Sequence, residues 1–126
     1  MRITTADLHD RSILIIDDDP DLRGVLEEVF HEEGFAVATA SNGAVAIGVL
    51  AWLTPDVIVL DIHMPNMDGV AFATEYQSRP GPHAPIVVFS TAAEAQRVRA
   101  IAPASIISKP CDIEVLIDTV ERQIPA

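Results

Sequence analysis

The sequence has a single cysteine, Cys111, so no disulfide can form within the chain, and a reducing compartment fits. Basic residues are scarce: 8 Lys and Arg stand against 19 Asp and Glu, a formal net charge of -11. That balance argues against a direct nucleic-acid partner, because binding phosphates needs a basic face. No apolar run approaches the ~20 residues that span a bilayer. The opening MRITTADLHD lacks the apolar stretch of a secretory signal. Together these absences lead to the expectation of a cytoplasmic protein with no membrane partner. Internal repeats and low-complexity segments are absent too.

What is present is the composition of an ordinary folded domain. The chain has 126 residues, 49% hydrophobic and 21% charged, enough for one domain with one core. Most of the excess acid is read as solubilising surface charge. It is also compatible with a cluster of acids that holds a cation.

Apolar runs alternate with helix-like stretches along the chain. Ser12 to Ile16 reads as a first strand. A first helix follows, with Leu22, Val25, Leu26, Val29 and Phe30 at helical spacing. Asp19 suits its N-cap, Pro20 its first position and Gly34 its stop. Phe35 to Thr39 reads as a second strand, and "SNG" opens a second helix running to about Leu53. Asp56 to Leu60 is a third strand, apolar enough to be buried on both faces. A third helix is expected from Asp68 to about Tyr76, then a loop, RPGPHAP, and a fourth strand from Ile86 to Phe89. "AAEAQRVRAIA" makes a short fourth helix that stops near Pro103. Ser105 to Ser108 is a fifth strand. A fifth helix begins near Asp112, with Ile113, Leu116, Val120 and Ile124 on one face.

Strands alternating with helices imply a doubly wound α/β fold, a parallel sheet with helices on both faces. In such sheets the functional crevice lies at the carboxyl ends of the strands. Here those ends carry Asp17, Asp18 and Asp19, then Asp61, then Ser90, then Lys109. Taken singly, each has a plain reading: a helix cap, a turn, a loop. Four strand ends bearing suitable groups are a stronger signal. Acids packed together repel unless a cation joins them, and oxygen ligands of this kind favour Mg²⁺. A carboxylate can also accept a phosphoryl group, whose charge a metal, a lysine and a hydroxyl donor would neutralise.

These residues resemble the receiver domain of two-component response regulators. "ILIIDDDPDLR" resembles the family's first strand and acid pair, and "DIHMPNMDG" matches its D-x-x-M-P-x-M-D-G pattern. "PIVVFST" and "IISKP" resemble its fourth and fifth strands. The resemblance covers residues 11 to 124 and implies a flavodoxin-like (βα)5 sheet of order 2-1-3-4-5. It implies one receiver domain over residues 1–126, with no output domain. Both a stand-alone regulator and the receiver of a larger regulator or hybrid kinase fit this pattern.

The resemblance also assigns roles. Asp61 would take a phosphoryl group from a histidine kinase or histidine phosphotransfer protein. Asp18 would bind Mg²⁺ directly and Asp17 through water, with the backbone carbonyl of His63 as a further ligand. Ser90 would hydrogen-bond the phosphoryl group, Lys109 would pair with it, and the Lys109–Pro110 peptide would be cis. The other histidines, His9, His31 and His83, are expected at the surface. Several positions depart from the family pattern. Ile106 stands where an aromatic switch residue is usual, Thr91 where Ala or Gly is usual, and Cys111 where Phe is frequent. Ala104 and Ser105 replace two acids that serve dimerisation in DNA-binding relatives, so a monomer is expected.

Two other classes compete with a signalling domain. One is an aspartyl-nucleophile phosphatase of the haloacid dehalogenase type, for which "DDDP" offers a D-x-D. Pro20 follows where Thr or Val is expected, and a cap domain has no room. The other is an interaction module that works without phosphorylation. The intact set of Asp17, Asp18, Asp61, Ser90 and Lys109 argues against it.

Overall fold

The computed structural model describes residues 11–62, 64, 68–91, 95–109 and 112–124. The elements run β1 (Ser12–Ile16), α1 (Pro20–Glu32), β2 (Ala36–Ala40), α2 (Gly43–Val49), β3 (Val57–Asp61), α3 (Gly69–Ser78), β4 (Ile86–Ser90), α4 (Ala95–Arg99), β5 (Ser105–Ser108) and α5 (Ile113–Arg122). The strands form one sheet ordered β2-β1-β3-β4-β5, and every neighbouring pair is parallel. This is the flavodoxin-like order expected from the sequence.

Alternation along each strand divides the core between two faces. Leu14, Ile16, Ile58, Leu60 and Val88 pack with Ala46 of α2, Phe72, Ala73 and Tyr76 of α3, and Val98 of α4. Ile13, Ile15, Val57, Val59, Val87 and Phe89 pack instead with Leu26 and Phe30 of α1 and Leu116 and Val120 of α5. Burial on both sides explains the unbroken apolar character of β3, all of whose residues are buried.

The helix ends follow local chemistry. Asp19 accepts from the backbone N–H groups of Asp21 and Leu22, and Pro20 opens α1. At the other end, Gly34 has φ +94°. Its N–H donates to the carbonyl of His31, and the N–H of Phe35 donates to that of Phe30. This is a Schellman stop, closed by an edge-on contact of the Phe30 and Phe35 rings at 5.5 Å. Phe35 is held in this stop, so β2 starts one residue later than the pattern implied. Val25 also departs from expectation: it is exposed, since Leu26 and Phe30 supply the buried face of α1.

The second helix is shorter than the expected run to Leu53. Beyond Val49 the chain continues in tight turns, with the N–H groups of Ala51 and Trp52 bonded only three residues back, to Gly48 and Val49. β3 starts at Val57 rather than Asp56, whose carboxylate instead accepts from the N–H of Ser12 at 2.8 Å.

Candidate functional site: an acidic pocket at the strand ends

The carboxyl edge of the sheet gathers the side chains that the sequence pointed to. Asp17 follows β1, and its N–H prolongs the ladder by donating to the carbonyl of Ala40 at 3.1 Å. Asp61 and Ser90 lie inside their strands as the last residues of β3 and β4, one position further than expected. Lys109 follows β5, and its N–H donates to the carbonyl of Ser90 at 2.9 Å. Parallel pairing, prolonged by one residue after β1 and β5, therefore brings these groups to one edge of the sheet.

Asp17, Asp18 and Asp61 each offer a carboxylate oxygen, all within 4.8 Å of one another. Asp17 is 3% exposed and Asp61 4%, while Asp18 faces solvent. Burial pushes the Asp17 carboxyl up to about 6, against a bond from the Asp19 N–H that favours the charged form, and the charge of Asp61 adds to the rise. Such a set of hard oxygens with mutual repulsion fits Mg²⁺, whose charge would oppose that rise by favouring the ionised carboxylates.

A cation of the chain already reaches into this pocket. Lys109 Nζ lies 3.0 Å from Asp61 Oδ1 and 5.1 Å from the centroid of the Phe89 ring, which directs the ammonium inward. Ser90 is 2% exposed, with its hydroxyl 3.4 Å from the carbonyl of Thr91. Thr91 itself is exposed. Ile106, paired with Val88 in the ladder, is 42% exposed on the edge strand. The carbonyl of His63, the Lys109–Pro110 peptide, Cys111 and His9 lie outside the described residues. His31 and His83 are exposed, as expected.

Three contributors escaped the sequence reading. Arg23, one turn into α1, donates from Nη1 to the carbonyl of Asp17 at 2.8 Å. Asp68 caps α3 through the N–H of Ala71 and also pairs with Arg97 of α4 at 2.7 Å. These two bonds hold its carboxyl below the usual range, the backbone bond contributing most. Gly69 sits where a Cβ would fall 2.6 Å from the carbonyl oxygen of Asp61 and 2.7 Å from Ile62 Cα. The Asp-Gly pair could have flagged a close approach, but only the fold reveals what is approached.

The third acid of "DDDP" is not part of the pocket cluster. Asp19 is engaged in capping α1, so the D-x-D of a dehalogenase-type phosphatase is not assembled here. Among the described residues, no helix is long and apolar enough to cross a membrane.

Comparison with known proteins agrees with this geometry. The family model of the response regulator receiver domain matches residues 13–121. Regulatory protein AtoC of Escherichia coli is 34% identical over 116 residues, which cover 87% of this chain and 24% of that protein. The chain thus spans about a quarter of the length of that relative. Sporulation initiation phosphotransferase F of Bacillus subtilis is 28% identical over 121 residues, covering 94% of this chain and 97% of that protein. Among solved structures, the response regulator TrrA of Thermotoga maritima, in complex with Mg²⁺-BeF, is similar with a TM-score of 0.81 and 27% identity, over 90% of this chain and 99% of that one. With its fold, its acidic pocket and the greater part of its length matched, the chain belongs to the response regulator receiver domain family, the phosphoaspartate signalling modules of two-component systems, whose partner is a histidine kinase or phosphotransfer protein.

Proposed function

We propose that Asp61 is the phosphoacceptor of a single receiver domain over residues 1–126, with its core at about 11–124. A carboxylate oxygen of Asp61 attacks the phosphorus of a phosphohistidine on the kinase or phosphotransfer protein. The P–N bond breaks, its electron pair leaves with the imidazole, and an acyl phosphate forms on Asp61. Asp17, Asp18 and Asp61 would hold Mg²⁺, for which the resemblance adds the His63 carbonyl, and the ion would neutralise charge on the phosphoryl oxygens. Lys109 passes from the Asp61 carboxylate to the phosphoryl group as the charge moves outward. Ser90 donates its hydroxyl to a phosphoryl oxygen.

The observation that carries this reading is one buried acid, Asp61, sharing its pocket with two further carboxylates within 4.8 Å while a lysine amine stands 3.0 Å from its oxygen. A structural ion pair needs no second and third acid. Thr91 and Ile106 shape the readout: with an aliphatic Ile106 in place of an aromatic, the movement of Ser90 is passed to a different surface. The protein works in the cytoplasm as a monomer, altering its affinity for a downstream protein, without contacting nucleic acid or membrane.

The test is incubation with acetyl phosphate and Mg²⁺. The wild type takes up one phosphoryl group as an acid-stable, base-labile acyl phosphate, and Asp61→Asn takes up none, because an amide is a poor nucleophile. Undiminished labelling of Asp61→Asn would remove the assignment.

A further inference from the structure

We infer that Arg23 is a positioning residue for the acid pair: it holds the peptide between Asp17 and Asp18 in the orientation that lets both carboxylates meet one divalent cation. The inference rests on the magnesium reading of the pocket given above.

Asp17 is fixed at three atoms. Its N–H donates to the carbonyl of Ala40 at 3.1 Å. Its Oδ1 accepts from the N–H of Asp19 at 2.9 Å. Its carbonyl oxygen accepts from Arg23 Nη1 at 2.8 Å. The third bond has the longest reach. A peptide unit is planar, so holding the carbonyl of Asp17 also sets the plane from which Asp18 departs. Asp18 is exposed and its carboxylate lies within 4.8 Å of those of Asp17 and Asp61. One guanidinium therefore governs the relative placement of two of the three acids.

The backbone of α1 prepares that guanidinium. The N–H of Arg23 donates to the carbonyl of Asp19 at 2.9 Å, placing the residue one turn in, with its side chain directed back over the N-terminus as helical side chains are. A planar, always-charged donor group suits a carbonyl that must not rotate.

Two effects of Arg23 on the metal have opposite signs, and this makes the inference decidable. Its positive charge near the pocket opposes a cation, so an electrostatic role alone predicts tighter Mg²⁺ binding when the charge is removed. Positioning predicts weaker binding. The experiment is Mg²⁺ titration by calorimetry of the wild type, Arg23→Gln, Arg23→Lys and Asp18→Asn, with metal-free melting temperatures measured alongside. Arg23→Gln is expected to bind Mg²⁺ at least threefold more weakly while its metal-free melting temperature stays within a few degrees of the wild type. Arg23→Lys, which keeps a donor and the charge, recovers at least part of the loss. Unchanged or tighter binding by Arg23→Gln, or no recovery by Arg23→Lys, overturns the inference. If the wild type binds Mg²⁺ no better than Asp18→Asn, the metal reading itself has failed and this inference falls with it; that failure is seen in the wild type, not in the Arg23 variants.

Discussion

At Gly69, the first residue of α3, the helix comes up against the end of β3. A Cβ there would meet backbone, 2.6 Å from the Asp61 carbonyl oxygen and 2.7 Å from Ile62 Cα, and backbone does not yield as a flexible side chain does. Gly69→Ala is expected to cost about 1–3 kcal/mol, the usual penalty of overpacking, and to weaken Mg²⁺ binding because the displaced atoms belong to Asp61. Urea unfolding and metal titration check this, and wild-type values in both would disprove it. Asp17 carries a second prediction. Its carboxyl titrates at about 6 in the folded protein against 3.8 as the reference value. A raised folded value means that the unfolded chain gives up its proton first. Without metal, stability therefore falls as pH rises from about 4 to about 6, by on the order of 3 kcal/mol at most at 1.36 kcal/mol per unit. Asp17→Asn removes this fall, so in EDTA the variant gains on the wild type across that range. Equal pH profiles for the two proteins would count against it. The types of residue in the pocket were legible from the sequence because strand ends carry their own signature. Arg23 and Gly69 were not, because their roles are contacts with backbone that is brought near only by folding.

At the scale of elements, legibility tracks how local the chemistry is. Asp19, Pro20 and Gly34 bounded α1 correctly, since a cap and a Schellman stop need only neighbours in sequence. Gly34→Ala is expected to destabilise the domain by about 1–2 kcal/mol, the cost of a side chain in the left-handed region, with its φ of +94°. Thermal unfolding tests this, and an unchanged melting temperature would refute it. α4 is the opposite case. It has five residues, too few to be stable alone. Tertiary contacts hold it: Val98 is fully buried and Ile101 nearly so, Gln77 Nε2 donates to the Ile101 carbonyl at 2.9 Å, and Arg97 pairs with Asp68 at 2.7 Å. That pair is partly exposed, so Arg97→Ala should cost no more than ~1 kcal/mol globally. Its effect should appear instead as faster amide exchange in residues 95–101, weakening in the wild type as salt is raised. Exchange equal to the wild type at low salt would contradict this role.

At the scale of the whole molecule, the same ion pair bears on association. Arg97 is engaged within the chain, and Ser105 accepts from Gln123 at 3.3 Å. Ala104 and Ser105 are uncharged and offer no carboxylate to a second copy. The phosphorylated or beryllofluoride-treated protein is therefore expected to stay monomeric at ~10 μM, where half-dimerisation needs about 7 kcal/mol. Sedimentation that shows a dimer formed on treatment would overturn this. The sequence alone determined the alternation of strands and helices, the parallel doubly wound class and the residue types at the strand ends. Each of these follows from burial and capping patterns a few residues long. Tertiary structure decided what depends on residues distant in sequence. It placed Lys109 on Asp61 across 48 positions, separated Asp19 from the acid cluster it adjoins in sequence, ended α2 before Leu53, and left Ile106 exposed on the edge strand. The reason is physical: periodicity records which side of an element is buried, whereas distances between elements are set by how the whole sheet twists and packs.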